Sequence, residues 1–415
     1  MKSFRFVHAA DLHLDSPFRG LRRTDEGLGT LLARSTFDAY ERIVDLCIER
    51  GVDALLVAGD IYDGADRSLR AQLAFQAGLQ RLSTRGIRVF IAHGNHDPLD
   101  GWQARLAMPE GCHRFASEPE SIALDPSRPQ WVTVHGVSFA QRVVSENLAS
   151  RFRAAESAIN VGVLHATVGT QEGHDPYAPC SLADLERSGM DYWALGHVHE
   201  RQVLRAEAPA VVYPGNPQGR HVREAGARGV YVVELAPGRR PTLEFLPVDV
   251  VRWSREHLDI ASIESEQALL DACLAAARSA ALKAEGRYLL VVLRLDGAGP
   301  IRDSLRRDGF LDEMLEHLNR QLESAGRRAQ IVDFEDRTGA GEPADAGGLT
   351  FMAELLRAGH TAADDPDLID ALQHDLDELQ DRRAVRRQLT DLMDARELVA
   401  AATERAYEAL KAAAR

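Results

Sequence analysis

The segment Val89-Phe90-Ile91-Ala92-His93-Gly94-Asn95-His96-Asp97 runs from four apolar residues into a turn dense with polar side chains. A short apolar run halted by glycine reads as a buried strand, and its end can hold side chains rigidly over a cleft. The same pattern recurs outward. Upstream, Ala54-Leu55-Leu56-Val57-Ala58 stops at Gly59-Asp60, and Phe4 to His8 leads into Asp11-Leu12-His13. Downstream, Val161 to Leu164 precedes His165, and Tyr192 to Leu195 precedes Gly196-His197-Val198-His199. A lone Asp-x-His or Gly-Asn-His-Asp is a weak signal. Five such motifs in order, each at the end of an expected strand, are a strong one, because coincidence five times over is improbable.

The donor types narrow the chemistry. Carboxylates, imidazoles and an amide, with no thiolate among them, suit Mn, Fe or Zn rather than an iron–sulfur or copper–thiolate site. One carboxylate can bridge two ions. Two ions about 3.5–4 Å apart can clamp an in-line phosphoryl displacement and activate the attacking water. The residues therefore point to a phosphoesterase with two divalent ions.

Around these motifs the first part alternates strand and helix. Phe37, Tyr40, Ile43, Val44 and Cys47 have helical spacing, and residues 68–84 predict another helix. Beyond residue 110 the texture turns to strands, at Trp131–Val134, Val137–Ala140, Val161–Leu164, Tyr192–Leu195, Val211–Tyr213 and Val230–Glu234. A short helix over 181–188 has Ser181 as its expected N-cap. This is an α/β pattern of sheets covered by helices, and it fits a doubly wound sheet as well as a sandwich. Pro and Gly break the chain at Ala236-Pro237-Gly238-Arg239-Arg240-Pro241. Residues 250–336 then read as a small α+β domain, with helices over 264–280 and about 311–325 and a strand over Tyr288–Leu295. A Gly/Ala/Asp-rich linker, 337–349, leads to a helical tail, 350–415. There Leu372, Leu376, Leu379, Leu389, Leu392 and Met393 form an apolar stripe. That stripe packs on its own domain or docks a partner; the sequence leaves both open.

Composition sets limits. Of 415 residues, 45% are hydrophobic and 27% charged, an ordinary globular balance. The N-terminus shows no apolar h-region and no apolar run approaches membrane-spanning length, so neither a signal peptide nor a membrane partner is expected. The scattered Cys47, Cys112, Cys180 and Cys273 form no CxxC pair and read as free thiols of a cytoplasmic protein. The formal net charge of −14 counts against nucleic acid as a substrate without excluding it, since metal ions supply positive charge that a residue count misses.

The ordered motifs resemble the calcineurin-like metallophosphoesterase superfamily, over roughly residues 1–235. Within it the chain is similar to the nuclease subunits of SbcCD-type complexes and their archaeal and eukaryotic repair counterparts, with the YhaO-like branch the nearest. That narrower likeness rests on Asp11-Leu12-His13-Leu14-Asp15-Ser16-Pro17, on Tyr213-Pro214-Gly215-Asn216-Pro217-Gln218-Gly219-Arg220 and on the appended domain and tail. The resemblance implies a four-layer β-sandwich flanked by helices over 1–240, a small α+β cap over 250–336 and a partner-docking tail. It implies one ion on Asp11, His13, Asp60 and His199, and a second on Asp60, Asn95, His165 and His197, with Mn2+ the expected metal. His96 would stand beside the scissile phosphate and stabilise or protonate the leaving oxygen, and Asp97 would orient His96. The implied activity is DNA hydrolysis by an exonuclease, with endonuclease action a further expectation, in DNA repair. An SMC-like coiled-coil ATPase would bind the tail, and a homodimer is a further expectation. The same donors would equally serve a phosphodiesterase or phosphatase acting on nucleotides, small molecules or phosphoproteins. A non-enzymatic scaffold fits poorly with an intact donor set.

Other residues carry weaker signals. His8 and His93 read as structural, and Asp63 as a hydrogen-bonding residue behind the donors. Trp193 reads as core, and the Gly215-Asn216 turn as packing behind the metal site. His174 and Asp175, in the Gly169–Pro179 loop, edge the cleft or are solvated. Arg220, His221 and Arg223 contact substrate phosphates or form an ordinary surface cluster; both readings stand.

Overall fold

The computed structural model describes residues 3–19, 26–64, 68–102, 104, 106–169, 176–326 and 328–338, with a few helical positions between 358 and 405. Two compact units emerge, interleaved in sequence: residues 1–256, 273–293 and 312–334, and residues 257–272, 294–311 and 335–415.

The first unit is built on two six-stranded sheets. One takes β1 (Phe4–Ala9), β2 (Ala54–Ala58), β3 (Arg88–Ala92), β4 (Cys112–Arg114), β11 (Gly229–Leu235) and β12 (Thr242–Pro247), in the order β12-β11-β1-β2-β3-β4. The other takes β5 (Glu120–Ala123), β6 (Val132–Gly136), β7 (Ile159–His165), β8 (Tyr192–Gly196), β9 (Gln202–Arg205) and β10 (Ala210–Tyr213), in the order β5-β6-β7-β8-β10-β9. Strands β1, β2 and β3 are mutually parallel, as are β6, β7 and β8.

Alternation along the strands explains the sandwich. On β2, Ala54, Leu56 and Ala58 join Phe4, Phe6 and Phe90 in facing Val134, Val161, Val163 and Tyr192 of the other sheet. Leu55 and Val57 point the opposite way, onto helices α1 (Glu26–Arg50) and α2 (Leu69–Ser83). Every residue of β2 is buried, which is why it reads as an unbroken apolar run. Helix α1 presents Phe37, Tyr40, Ile43, Val44 and Cys47 as one stripe. It stops at Gly51, whose φ of 57° lets Val52 N–H donate to Cys47 O at 3.2 Å. Ser68 caps α2 by accepting from Ala71 N–H at 3.0 Å. On the far face of the second sheet, Trp193, Leu195 and Val211 pack with Leu185 of α3 (Leu182–Arg187) and with Leu148 and Phe152. Helix, sheet, sheet and helix give the four layers.

A third sheet orders β13 (Val251–Asp259), β14 (Tyr288–Asp296) and β15 (Ala329–Arg337). Within the first unit, Val251, Trp253, Leu290, Val292 and Val332 bury Leu28 and Leu32 of α1. Helices α4 (Glu266–Lys283), α5 (Arg302–Leu305) and α6 (Phe310–Ser324) complete the elements. In the second unit Arg302 donates to Thr338 O at 3.2 Å and pairs with Glu404.

Some sequence expectations fail here. Val137–Ala140 is not a strand. Val137 and Phe139 are buried, but the backbone there is a loop bonded to its neighbour, with Phe139 N–H on His93 O and Leu99 N–H on Phe139 O. The short strands β4, β5, β9 and β12 have only partly buried faces and no clean apolar run to announce them. Apart from Leu372, the named stripe of the tail lies outside the described residues, as do His174 and Asp175. No described helix is long and apolar enough to cross a membrane.

Candidate metal centre

The parallel strands of both sheets deliver their carboxyl ends to one place. After β1 the chain turns alongside the loop that follows β2, with Asp11 N–H on Gly59 O, His13 N–H on Asp60 O and Leu14 N–H on Ile61 O at 2.9–3.1 Å. Asp11, His13, Asp60 and His197 hold φ values of 52°, 43°, 48° and 101°. Side chains rarely adopt that left-handed backbone, at a cost of about 1–3 kcal/mol each, and such strain concentrates where function demands a particular direction. The glycines of the motifs make room. A Cβ on Gly94 would strike the Asp60 carboxylate, and one on Gly196 would strike Ala58 O.

All seven sequence-predicted donors come together. Asp11, His13 and His199 form one group of ligand atoms lying within 4.8 Å of one another, and Asp11, Asp60 and His165 form a second. Asn95 joins the latter through Oδ1, 2.9 Å from His165 Nε2, and the His197 ring lies 5.2 Å from that of His165. His197 also donates its backbone N–H to the Asp11 carboxylate at 3.0 Å.

Hydrogen bonds fix which ring nitrogen faces inward. His165 Nδ1–H donates to Ala58 O at 3.1 Å, leaving Nε2 beside Asn95 and 3.3 Å from Asp60. His199 Nδ1–H donates to Glu224 at 2.7 Å, leaving Nε2 3.0 Å from His13 Nε2. Anchoring the outer nitrogen on a carbonyl or carboxylate orients a ligating histidine. His13 Nδ1 is buried and has no hydrogen-bond partner among the described residues.

The electrostatics agree. Burial pushes Asp11 up to about 6, against the opposing charges of His165 and His199. Burial would likewise raise Asp60, yet the charge of His165 and its hydrogen bond hold Asp60 well below the usual carboxylate range. Burial would lower His165, but Asp60 and then Asp11 lift it to about 9. Burial, then the charges of Arg220 and His199, drive His13 well below its ordinary value. Two carboxylates, each no more than 1% exposed, thus create a field that favours a cation, amid imidazoles aimed inward. Two Nε2 atoms, of His13 and His199, face each other at 3.0 Å beside a buried carboxylate, an arrangement that a divalent ion would complete. The residues present fit a two-ion centre.

His96 stands at the edge, its side chain 37% exposed, with its backbone N–H on Asp60 at 3.0 Å. Its orienting partner differs from the sequence expectation. His96 Nδ1 lies 2.6 Å from Asp63, which also takes Ser16 Oγ–H at 2.8 Å and Arg220 Nη1 at 3.3 Å. Asp97 is engaged elsewhere, accepting Ile61 N–H, Gly94 N–H and His93 Nδ1 at 2.9–3.0 Å, so it shapes the turn rather than His96. Burial opposes a proton on His96, but the hydrogen bond to Asp63 and the charge of Asp60 raise its pKa above the ordinary value.

The remaining residues fall into place around this core. His8 is a core histidine: Nε2–H donates to Leu195 O at 3.1 Å and Nδ1 accepts from Tyr192 Oη at 2.9 Å. Trp193 is fully buried. Asn216 N–H donates to His199 O at 3.2 Å, so the Gly215-Asn216 turn lies behind that ligand. Arg220 reaches the site through Asp63, whereas the His221 ring lies 6.3 Å from that of Trp253 and Arg223 is exposed. Sequence reasoning missed Glu224 and the buried Arg228, which bonds both Glu224 O and His199 O. Nothing in the spacing of the Gly219–Arg228 segment announces them.

Comparison with known proteins bears on this centre. Residues 4–201 match the family of calcineurin-like phosphoesterases, and residues 253–339 match the middle domain of metallophosphoesterase YhaO. An uncharacterized metallophosphoesterase, YhaO, of Bacillus subtilis strain 168 is 39% identical over 335 residues, 80% of this chain and 81% of that protein. The DNA double-strand break repair protein Mre11 of Methanopyrus kandleri is 26% identical over 298 residues, 63% of this chain and 60% of that protein. A subunit of the nuclease SbcCD of Bacillus subtilis is 25% identical over 277 residues, 57% of this chain and 68% of that protein. With the donors of both sheets converging as described and 39% identity maintained over four-fifths of both chains, the protein belongs to the calcineurin-like metallophosphoesterases.

Proposed function

We propose that this chain is a two-metal phosphodiesterase that cleaves DNA. The observation that carries the reading is the convergence of strand-end donors, with an oriented His96 at their rim. Asp11, His13, Asp60 and His199 would hold one ion, and Asp60, Asn95, His165 and His197 the other, with Asp60 shared between them. When bound, the ions supply positive charge for the phosphate oxygens and activation of the attacking water. Asp63 holds His96 by Nδ1, which turns Nε2 outward to stabilise or protonate the leaving oxygen. Manganese is the proposed metal, on the oxygen and imidazole donor set.

Support for DNA comes from the relatives named as a repair protein and a nuclease subunit. The domain reading is 1–240 for catalysis, 250–336 for a cap and 350–415 for docking an SMC-like ATPase, with a second copy as a further partner. Four thiols without a disulfide fit a reducing cytoplasm.

The test is degradation of end-labelled duplex and single-stranded DNA with Mn2+, by wild type, His96→Ala and Asp60→Ala. Metal-dependent cleavage lost in both variants supports the reading. No DNA cleavage, with mutant-sensitive hydrolysis of bis-p-nitrophenyl phosphate retained, moves the substrate to a smaller phosphodiester.

A further inference from the structure

The second sheet carries a relay of side chains that the metal centre does not use. Ser121 of β5 stands opposite His135 of β6, and Asn160 of β7 lies level with Thr133. Val132 and Val134 face the other sheet, so Thr133 and His135 turn to the outer face. Ser121 Oγ lies 2.8 Å from His135 Nδ1, and His135 Nε2 lies 2.9 Å from Asn160 Oδ1.

Asn160 decides the direction of both bonds. Its Oδ1 accepts Ala155 N–H at 2.9 Å, and its Nδ2 donates to Ala155 O and Ser157 O at 3.3 Å, which fixes the amide. An amide oxygen only accepts, so His135 Nε2 carries the ring proton. Nδ1 then holds the lone pair, and Ser121 Oγ–H donates to it. Burial lowers the pKa of His135 against the hydrogen bond to Asn160, which keeps the ring neutral near pH 7.

His135 and Asn160 are buried, whereas Ser121 is exposed. A base held from behind by a fixed group and bonded in front to an accessible hydroxyl is the arrangement that activates a nucleophile. The backbone adds a donor. Leu124 N–H bonds Val132 O, so by alternation Ile122 and Glu120 also turn their N–H groups to β6, and Ser121 turns its own the other way. Since β5 is the terminal strand of its sheet, that N–H lies on the sheet edge, on the same residue as the hydroxyl. A single polarising N–H suits a reactive carboxylic ester, such as an aryl ester, rather than an amide.

We propose that Ser121 is a serine nucleophile, with His135 as its general base and Asn160 as the positioning residue, and that it hydrolyses carboxylic esters independently of the metal centre. Ser121 Oγ attacks the ester carbonyl carbon as its proton passes to His135 Nδ1. The bond from that carbon to the leaving oxygen breaks, and the leaving oxygen takes the proton from Nδ1. Water, giving a proton to Nδ1, then attacks the acyl carbon. The carboxylic acid departs, and Ser121 Oγ regains its proton.

The test uses the full chain with EDTA present, so that metal-dependent hydrolysis is silent. A fluorophosphonate probe is followed by peptide mass spectrometry, and p-nitrophenyl acetate by release of nitrophenolate. Wild type should carry the probe on Ser121 and release nitrophenolate, and Ser121→Ala, with an unchanged melting temperature, should do neither. His135→Gln should slow labelling of Ser121 by about 100-fold or more, the usual worth of a general base. Should His135→Gln fail to fold, wild type in urea replaces it, and labelling should vanish there too. No label on Ser121 in the native chain, or labelling that is as fast in folded His135→Gln or in urea, overturns the proposal. Neither result touches the phosphodiesterase reading, which rests on other residues.

Discussion

Substituting Glu224 by Gln perturbs the metal centre without touching a proposed ligand. The carboxylate accepts two N–H donors, His199 Nδ1 at 2.7 Å on one oxygen and Arg220 N at 2.6 Å on the other. A glutamine side chain has one oxygen and one NH2, so it satisfies one donor and sets its own NH2 against the other. The charge of Glu224, held well below the usual carboxylate range by the hydrogen bond and charge of His199 against the effect of burial, is lost as well. A hydrogen bond to a charged group is worth about 1.5–3 kcal/mol. Loss of a residue that orients a metal ligand weakens metal affinity by about 10–100-fold. The two magnitudes agree, since tenfold is about 1.4 kcal/mol. Isothermal titration of Mn2+ into wild type and Glu224→Gln resolves the two ions. The ion held by His199 should weaken by about 10–100-fold, and the ion held by His165 should change little, because His165 is anchored separately on Ala58 O. Two unchanged affinities, or an equal fall in both, would refute the reasoning.

Further outcomes follow from the same contacts. Gly94→Ala should displace the Asp60 carboxylate and lower metal stoichiometry, while overpacking lowers stability by about 1–3 kcal/mol; normal metal loading would contradict it. Burial holds His8 at about 3 against an ordinary 6.5, so the unfolded chain binds a proton that the folded chain refuses. That contribution is full above about pH 6.5 and falls as pH drops towards 3, with about 2 kcal/mol lost between pH 7 and pH 5. Urea unfolding of His8→Gln should therefore show a flatter loss of stability over that range than wild type, and equal slopes would count against a neutral His8. Burial pushes Cys180 and Cys273 to about 12 and Cys112 to about 11. Ellman's reagent at pH 8 should thus find the half-buried Cys112 first in the native chain, and rapid reaction of all four thiols would show the core to be open.

Much of the centre was legible because each donor lies at or shortly after the end of a largely buried strand, as Asp60 follows β2 and His165 ends β7. Apolar runs of four or five residues halted by glycine are visible in sequence. The four layers were not legible from pattern alone. Strands buried on both faces read the same whether a second sheet or a helix layer covers them, so the sandwich rested on the resemblance. Val137–Ala140 misled because Val137 and Phe139 are apolar for packing, while their backbone bonds to the His93–Leu99 loop instead of a ladder. Asp97 misled by adjacency. Its neighbour in sequence is His96, but its carboxylate turns back to Ile61 and Gly94, and Asp63, 33 residues earlier, takes the role. Glu224 and Arg228 reach His199 across a loop that has no periodicity to reveal them.

The centre itself is tested most directly by anomalous scattering from crystals of the chain grown with Mn2+. Two peaks are expected, one among Asp11, His13 and His199 and one among Asn95, His165 and His197, with the Asp60 carboxylate between them. A single peak, or two peaks away from Asp60, would contradict a two-ion phosphoesterase.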